Sequence, residues 1–159
     1  MIEVRIEEKP SFEIVGRKIW ISGQDNEQFA TFWKESNENG LVNELRKRRK
    51  DTPGEITKSY VFGVSCVEED PENRAFNFFI AAEGIITDNA NTLEAYTVPS
   101  CKWAIFLNHG ELPKSLIDAE MYAFMEWLPS SKYEHAHAPE LEVYPAYDGA
   151  LVEFWLPII

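Results

Sequence analysis

The sequence predicts an α+β fold of two similar halves, arranged as a mostly antiparallel sheet with two main helices on one face and a cleft between the halves. Three observations carry this prediction: alternating runs at strand spacing, apolar stripes at helical spacing, and a repeated Pro-Ser break. Pro10-Ser11 and Pro99-Ser100 lie slightly more than half the chain apart. Each separates a short alternating run (Ile2 to Ile6; Leu93 to Thr97) from a longer one. Proline has no N–H to give to a ladder, so each pair marks a break, a bulge or an edge.

The elements follow in order. Residues 13–23 form the first long strand. Asp25 or Asn26 caps a helix through Phe29, Phe32, Trp33 and Ser36, which Asn39-Gly40 ends. A second short helix spans Leu41 to Lys50. Two strands, Ser59 to Val67 and Ala75 to Glu83, are joined by the polar turn 68–74. The segment Thr87 to Thr92 is the joint between the halves, so a single domain 1–159 divides into modules of about 1–87 and about 88–159.

The second half repeats the pattern. Residues 102–110 make a strand. Ile117, Met121, Phe124, Met125 and Leu128 form a helical stripe, read as core, and Pro129 stops the helix. Trp20 and Trp33 also read as core. The last two strands, residues 139–145 and 151–157, are joined through Asp148-Gly149, a hairpin signal.

Composition sets outer bounds. The chain has 159 residues, 45% hydrophobic and 13% aromatic, enough for a folded core rather than a disordered segment. Its net charge of -12 repels a phosphate backbone, which disfavours nucleic acid as a partner. No apolar run approaches the roughly 20 residues of a membrane span, and the start lacks a signal peptide's apolar centre, so a cytoplasmic protein with no membrane partner is expected. Cys66 and Cys101 sit in separate apolar runs and read as buried free thiols.

The closing strands carry the chemistry. Glu140, Glu142 and Tyr144 share one face of the first; Leu151, Glu153 and Trp155 share one face of the second. Carboxylates among large rings suit a pocket for flat apolar or cationic molecules. The same pattern also describes the wet side of a half-buried sheet.

The segments Trp127 to Glu134, Pro139 to Pro145 and Val152 to Ile158 resemble the end of a GyrI-like domain, the effector-binding domain of bacterial transcription activators. The opening from Pro10 to Gly23 and the run Tyr60 to Gly63 fit the same pattern. The resemblance implies two β-α-β-β modules with a ligand cleft between them. It also implies recognition of lipophilic, often cationic, aromatic compounds through an acidic residue and rings. The acidic residue of the final-strand motif corresponds to Glu153, and the strand before it contributes Glu142. With no DNA-reading segment beside the domain, a stand-alone member is expected. Some of these are gyrase-binding proteins and others hydrolyse cyclopropane-bearing genotoxins.

Glu142 and Glu153 are therefore the candidate catalytic and ligand-binding carboxylates. Tyr144, Trp155 and Trp103 are candidate walls, and Tyr60, Phe62 and Phe78 candidate lining rings. Whether the two carboxyls meet depends on strand register. Three functions remain open: a binder of toxic aromatic compounds, a hydrolase using the two carboxyls as acid and base, and a protein-binding inhibitor. No cofactor or metal is expected, and the oligomeric state stays open. Glu83 reads as an exposed strand end. His135 and His137 read as loop residues and His109 as a turn residue. The run Arg46 to Lys50 reads as cations at a helix C-terminus.

Overall fold

The alternation along the N-terminal segment becomes two strands, β1 (Glu3–Lys9) and β2 (Phe12–Ile21), broken at Pro10. The computed structural model describes residues 1–22, 26–87 and 92–159. The elements that follow are α1 (Glu27–Glu38), α2 (Leu41–Arg48), β3 (Phe62–Cys66), β4 (Phe76–Glu83), β5 (Glu94–Val98) and β6 (Cys101–His109). Helix α3 starts with Lys114–Tyr122, passes through a π-helical turn at Ala123–Trp127 and ends with Leu128–Ser130. Strands β7 (Glu140–Val143) and β8 (Leu151–Ile158) close the chain.

Helix α1 ends where expected, because Gly40 takes φ 88°, a left-handed conformation costly for other residues. Its proposed cap Asp25 lies outside the described residues, as does most of the joint at 87–92. Asn26 makes no side-chain cap bond. Helix α3 runs one residue past Pro129. In the preceding turn the Leu128 N–H reaches back to the Ala123 carbonyl, and this wider spacing accommodates the proline ring.

The eight strands form one antiparallel sheet in the order β1-β6-β8-β7-β3-β4-β2-β5. The halves meet at the β3–β7 pair. Each half's opening strand lies at the other half's outer edge: β1 on β6, and β5 on β2. Lys9 pairs with Cys101 and Phe12 with Val98, so one register continues across both Pro-Ser breaks. The two segments thus form a single ribbon, interrupted at the prolines, that ties the two ends of the sheet together and curls it.

That curl gives the sheet two different faces. The inner face closes on itself around Phe12, Ile14, Phe62, Trp103, Ile105, Leu141 and Trp155, drawn from both ends of the sheet. Each ring buried this way stabilises the fold by about 2–3 kcal/mol. The outer face carries the helices. Helices α1 and α2 cover Val15, Phe78 and Ile80; α3 covers Ala104, Phe106, Phe154 and Leu156.

Several expectations are corrected. Trp20 is 59% exposed on β2 rather than core. Glu83 is buried, not exposed: its carboxylate accepts hydrogen bonds from the Ile56 and Thr57 N–H groups and the Thr57 hydroxyl. Cys66 and Cys101 are free but only partly buried. No helix among the described residues is long and apolar enough to cross a membrane.

Candidate functional site

Strand β7 alternates Glu140, Leu141, Glu142, Val143. Leu141 and Val143 enter the inner core, so Glu140 and Glu142, with Tyr144 beyond them, face outward. Opposite Glu142 on β3 stands Gly63. A Cβ at that position would lie 2.5 Å from Glu142 Cγ, so only glycine leaves room for the carboxylate.

Above this floor a cavity of about 1520 Å³ lies between α1 and α3. Phe29 and Trp33 of α1 line one side, Ile117, Met121, Phe124 and Met125 of α3 the other, with Tyr60 and Phe76 between. Trp33 meets the Tyr144 ring edge-on at 5.7 Å between centroids. The volume exceeds what one drug-sized molecule needs.

Of the carboxyls that line the cavity, the structure treats Glu140, Glu142 and Glu120 differently. Glu140, 3% exposed, accepts a forked pair from Arg74, Nη2 to Oε1 at 2.9 Å and Nη1 to Oε2 at 3.0 Å, and lies 2.8 Å from His135 Nε2. Burial pushes its pKa up, but the hydrogen bonds from His135 and Arg74 outweigh it and hold the group below its ordinary range. Glu142 accepts only the Tyr144 hydroxyl among the described residues. Burial pushes it up to about 7, against the pull of that hydroxyl and the neighbouring Trp33 indole. The Trp33 N–H is close enough to oppose the rise without reaching hydrogen-bond geometry. Glu120 enters from α3. Burial, then the charges of Glu142 and Glu140, push it up to about 8, with Arg74 opposing. Burial and Glu142 also hold the Tyr144 hydroxyl far above its usual range, so it stays a proton donor.

The predicted site residues thus divide. Glu142, Tyr144 and Tyr60 line the cavity. Phe78 lies beneath it, edge-on to Phe29 at 4.9 Å and packed on Phe32. Phe62, Trp103, Trp155 and Glu153 belong to the inner face. Register decides this: Glu142 pairs with Phe154, and Val143 with Glu153, so the two glutamates expected to converge point to opposite faces. Glu153, 2% exposed, accepts the Trp155 Nε1–H at 2.9 Å and Arg5 Nη2 at 3.1 Å. Tyr60 and Phe62 part because the chain bends at Tyr60-Val61, before β3 begins.

Sequence reasoning missed other lining residues. Trp33, Phe124 and Leu128 pack against the core as read and also line the cavity, whereas Met121 and Met125, read as core, are 52% and 69% exposed on its wall. Glu120 sits inside that apolar stripe, and a carboxylate there was the available signal. Arg74 gave none, since it ends an acidic turn. The basic run does end α2, and its Arg46 guanidinium stacks on Tyr60 at 4.0 Å beside the cavity. His137 holds the Glu68 carbonyl and His109 pairs with Asp148.

The sequence matches the Cass2 family, integron-associated effector binding protein, over residues 5–158. No curated protein matches it. Among solved structures, SAV2435 bound to tetraphenylphosphonium shares 20% identity at a TM-score of 0.80, over 99% of this chain and 94% of that one. The Vibrio cholerae integron cassette protein VCH_CASS2 shares 17% at 0.73, over 98% and 95%. The EcmrR C-terminal domain shares 15% at 0.62, over 100% and 98%. These likenesses concern the fold.

Proposed function

The chain belongs to the Cass2 family of integron-associated effector-binding proteins, with the GyrI-like fold, and from that premise we propose that it captures lipophilic aromatic cations between α1 and α3, for protection against toxic compounds or for sensing them. One observation carries this reading: Glu142 lies on the floor of an aromatic cavity with no cationic partner among the described residues. A lipophilic cation supplies the missing charge, and each ring it covers adds about 0.5–2 kcal/mol. The tetraphenylphosphonium held by SAV2435 is a ligand of this class.

The test is calorimetric titration with tetraphenylphosphonium beside neutral triphenylphosphine oxide. The expected result is saturable binding of the cation and affinity for the neutral compound at least about tenfold weaker. Equal affinity for both, or no binding of either, overturns the reading.

A second reading, hydrolysis of an electrophilic cyclopropane, draws support from two carboxyls poised near neutrality, Glu142 at about 7 and Glu120 at about 8. In it Glu142 takes a proton from water, the water oxygen bonds to the ring carbon, and the ring electron pair moves to the conjugated carbonyl, which Glu120 protonates. Consumption of a cyclopropane-bearing alkylator, lost in Glu142→Gln, supports this chemistry. Stoichiometric binding without consumption leaves the binder.

A further inference from the structure

Two arginines line the cavity, Arg46, stacked on Tyr60, and Arg74, and among the described residues only Arg74 of the two pairs with a carboxylate of the cavity. Arg74 rises from the turn between β3 and β4, anchored by its Nη1 on the Pro71 carbonyl at 3.1 Å. Its guanidinium lies 5.3 Å from the Phe76 ring and 5.4 Å from the Phe124 ring, and forks onto both oxygens of buried Glu140. Rings on two elements and a desolvated carboxylate make a cation cage. The guanidinium completes it from within the chain while remaining 30% exposed.

Glu142, with Tyr144 and Trp33 about it, offers the same chemistry with no ion pair to its carboxylate among the described residues, while Arg46 is taken up by the Tyr60 ring at 4.0 Å. The cavity therefore contains two anionic aromatic subsites, one filled and one open. We propose that Arg74 acts as a tethered pseudo-ligand that occupies the Glu140 subsite and thereby restricts the cavity to monocationic ligands. This rests on the binding function proposed above and names the residue that sets the ligand's charge. Glu120, pushed up to about 8, is mostly protonated at about pH 7 and adds little charge there.

Removing the guanidinium while keeping the volume opens the second subsite. Its two rings and Glu140 then suit a quaternary ammonium head, and a ligand with two such heads spans both subsites. The alternative is that Arg74 only neutralises Glu140, without bearing on ligand charge.

The experiment titrates the full chain with alkyl-linked bis(trimethylammonium) compounds of increasing spacer length and with their singly charged counterparts. The wild type is expected to bind both within about threefold. Arg74→Met is expected to prefer the best bis-cation by at least about tenfold, and Arg74→Met with Glu140→Gln to lose that preference. Should Arg74→Met not fold, Glu140→Gln decides. It frees the guanidinium to turn toward Glu142, and monocation affinity is expected to fall about tenfold.

No bis-cation preference in folded Arg74→Met, a preference already present in the wild type, or a preference that survives in the double variant overturns the proposal. So does unchanged monocation affinity in Glu140→Gln where Arg74→Met fails to fold. A wild type that binds no cation at all overturns instead the function on which the proposal rests.

Discussion

Two neighbouring strands carry the same local motif and put it to different uses. In β7 a glutamate is followed two residues later by a tyrosine whose hydroxyl donates to it, Tyr144 to Glu142. In β8 a glutamate is followed two residues later by a tryptophan whose N–H donates to it, Trp155 to Glu153 at 2.9 Å. Side chains two apart on a strand share a face, so each pair is local. What separates them is the face and the counter-charge. Glu153 turns inward, where Arg5 from the other half's opening strand supplies a cation at 3.1 Å. Glu142 turns outward into the cavity, where Arg74 is committed to Glu140 and Arg46 to the Tyr60 ring. A carboxylate whose cation is built in has a structural partner; on the function proposed above, one whose cation is missing takes it from a ligand.

That contrast can be broken at several points. The largest effect concerns pH. A cation needs Glu142 ionised, and burial has pushed this group up to about 7 and Glu120 up to about 8. Affinity for tetraphenylphosphonium should therefore drop about 50-fold from about pH 7 to about pH 5, approaching one decade per unit at the acid end. Ligand-free stability should move the opposite way. Both groups bind protons more tightly folded than unfolded, so their stabilisation is full below the ordinary glutamate pKa and is lost as pH rises through about 7 and about 8. Titrations and melting curves over one pH series check both trends; parallel trends would break the assignment.

The next effect concerns space. Gly63→Ala places a methyl 2.5 Å from Glu142 Cγ and displaces the carboxylate. Affinity should fall about tenfold, with a stability cost of about 1–2 kcal/mol measured by urea unfolding. A smaller effect is expected at the structural glutamate. Glu153→Gln keeps the shape and a partner for the Trp155 N–H but removes the charge facing Arg5, which is itself partly exposed. Melting should drop by about 3 °C or less.

Much of the fold was legible from residues alone. The alternating runs, the Pro-Ser breaks and Gly40 located strands and helices because their signals are local. The exchange of β1 and β5 between halves was not, since it depends on pairings across most of the chain. The site divides along the same line. Alternation correctly placed Glu140, Glu142 and Tyr144 on one face, and Glu153 with Trp155 on another. It did not say that Glu142 would pair with Phe154 rather than Glu153, a one-residue difference of register that sends the two carboxyls to opposite faces. The α3 stripe misled at Met121 and Met125 for a related reason. Apolar residues at helical spacing mark a face turned from water, whether toward a core or toward a ligand cavity.

The most direct test titrates Glu142→Gln and Glu153→Gln side by side with tetraphenylphosphonium at about pH 8. The account predicts an affinity loss of about 30- to 100-fold in Glu142→Gln with melting unchanged or raised, because a desolvated carboxylate has been removed. It predicts affinity within about twofold of wild type in Glu153→Gln. The reverse pattern, with cation binding kept in Glu142→Gln and lost in a folded Glu153→Gln, would contradict it.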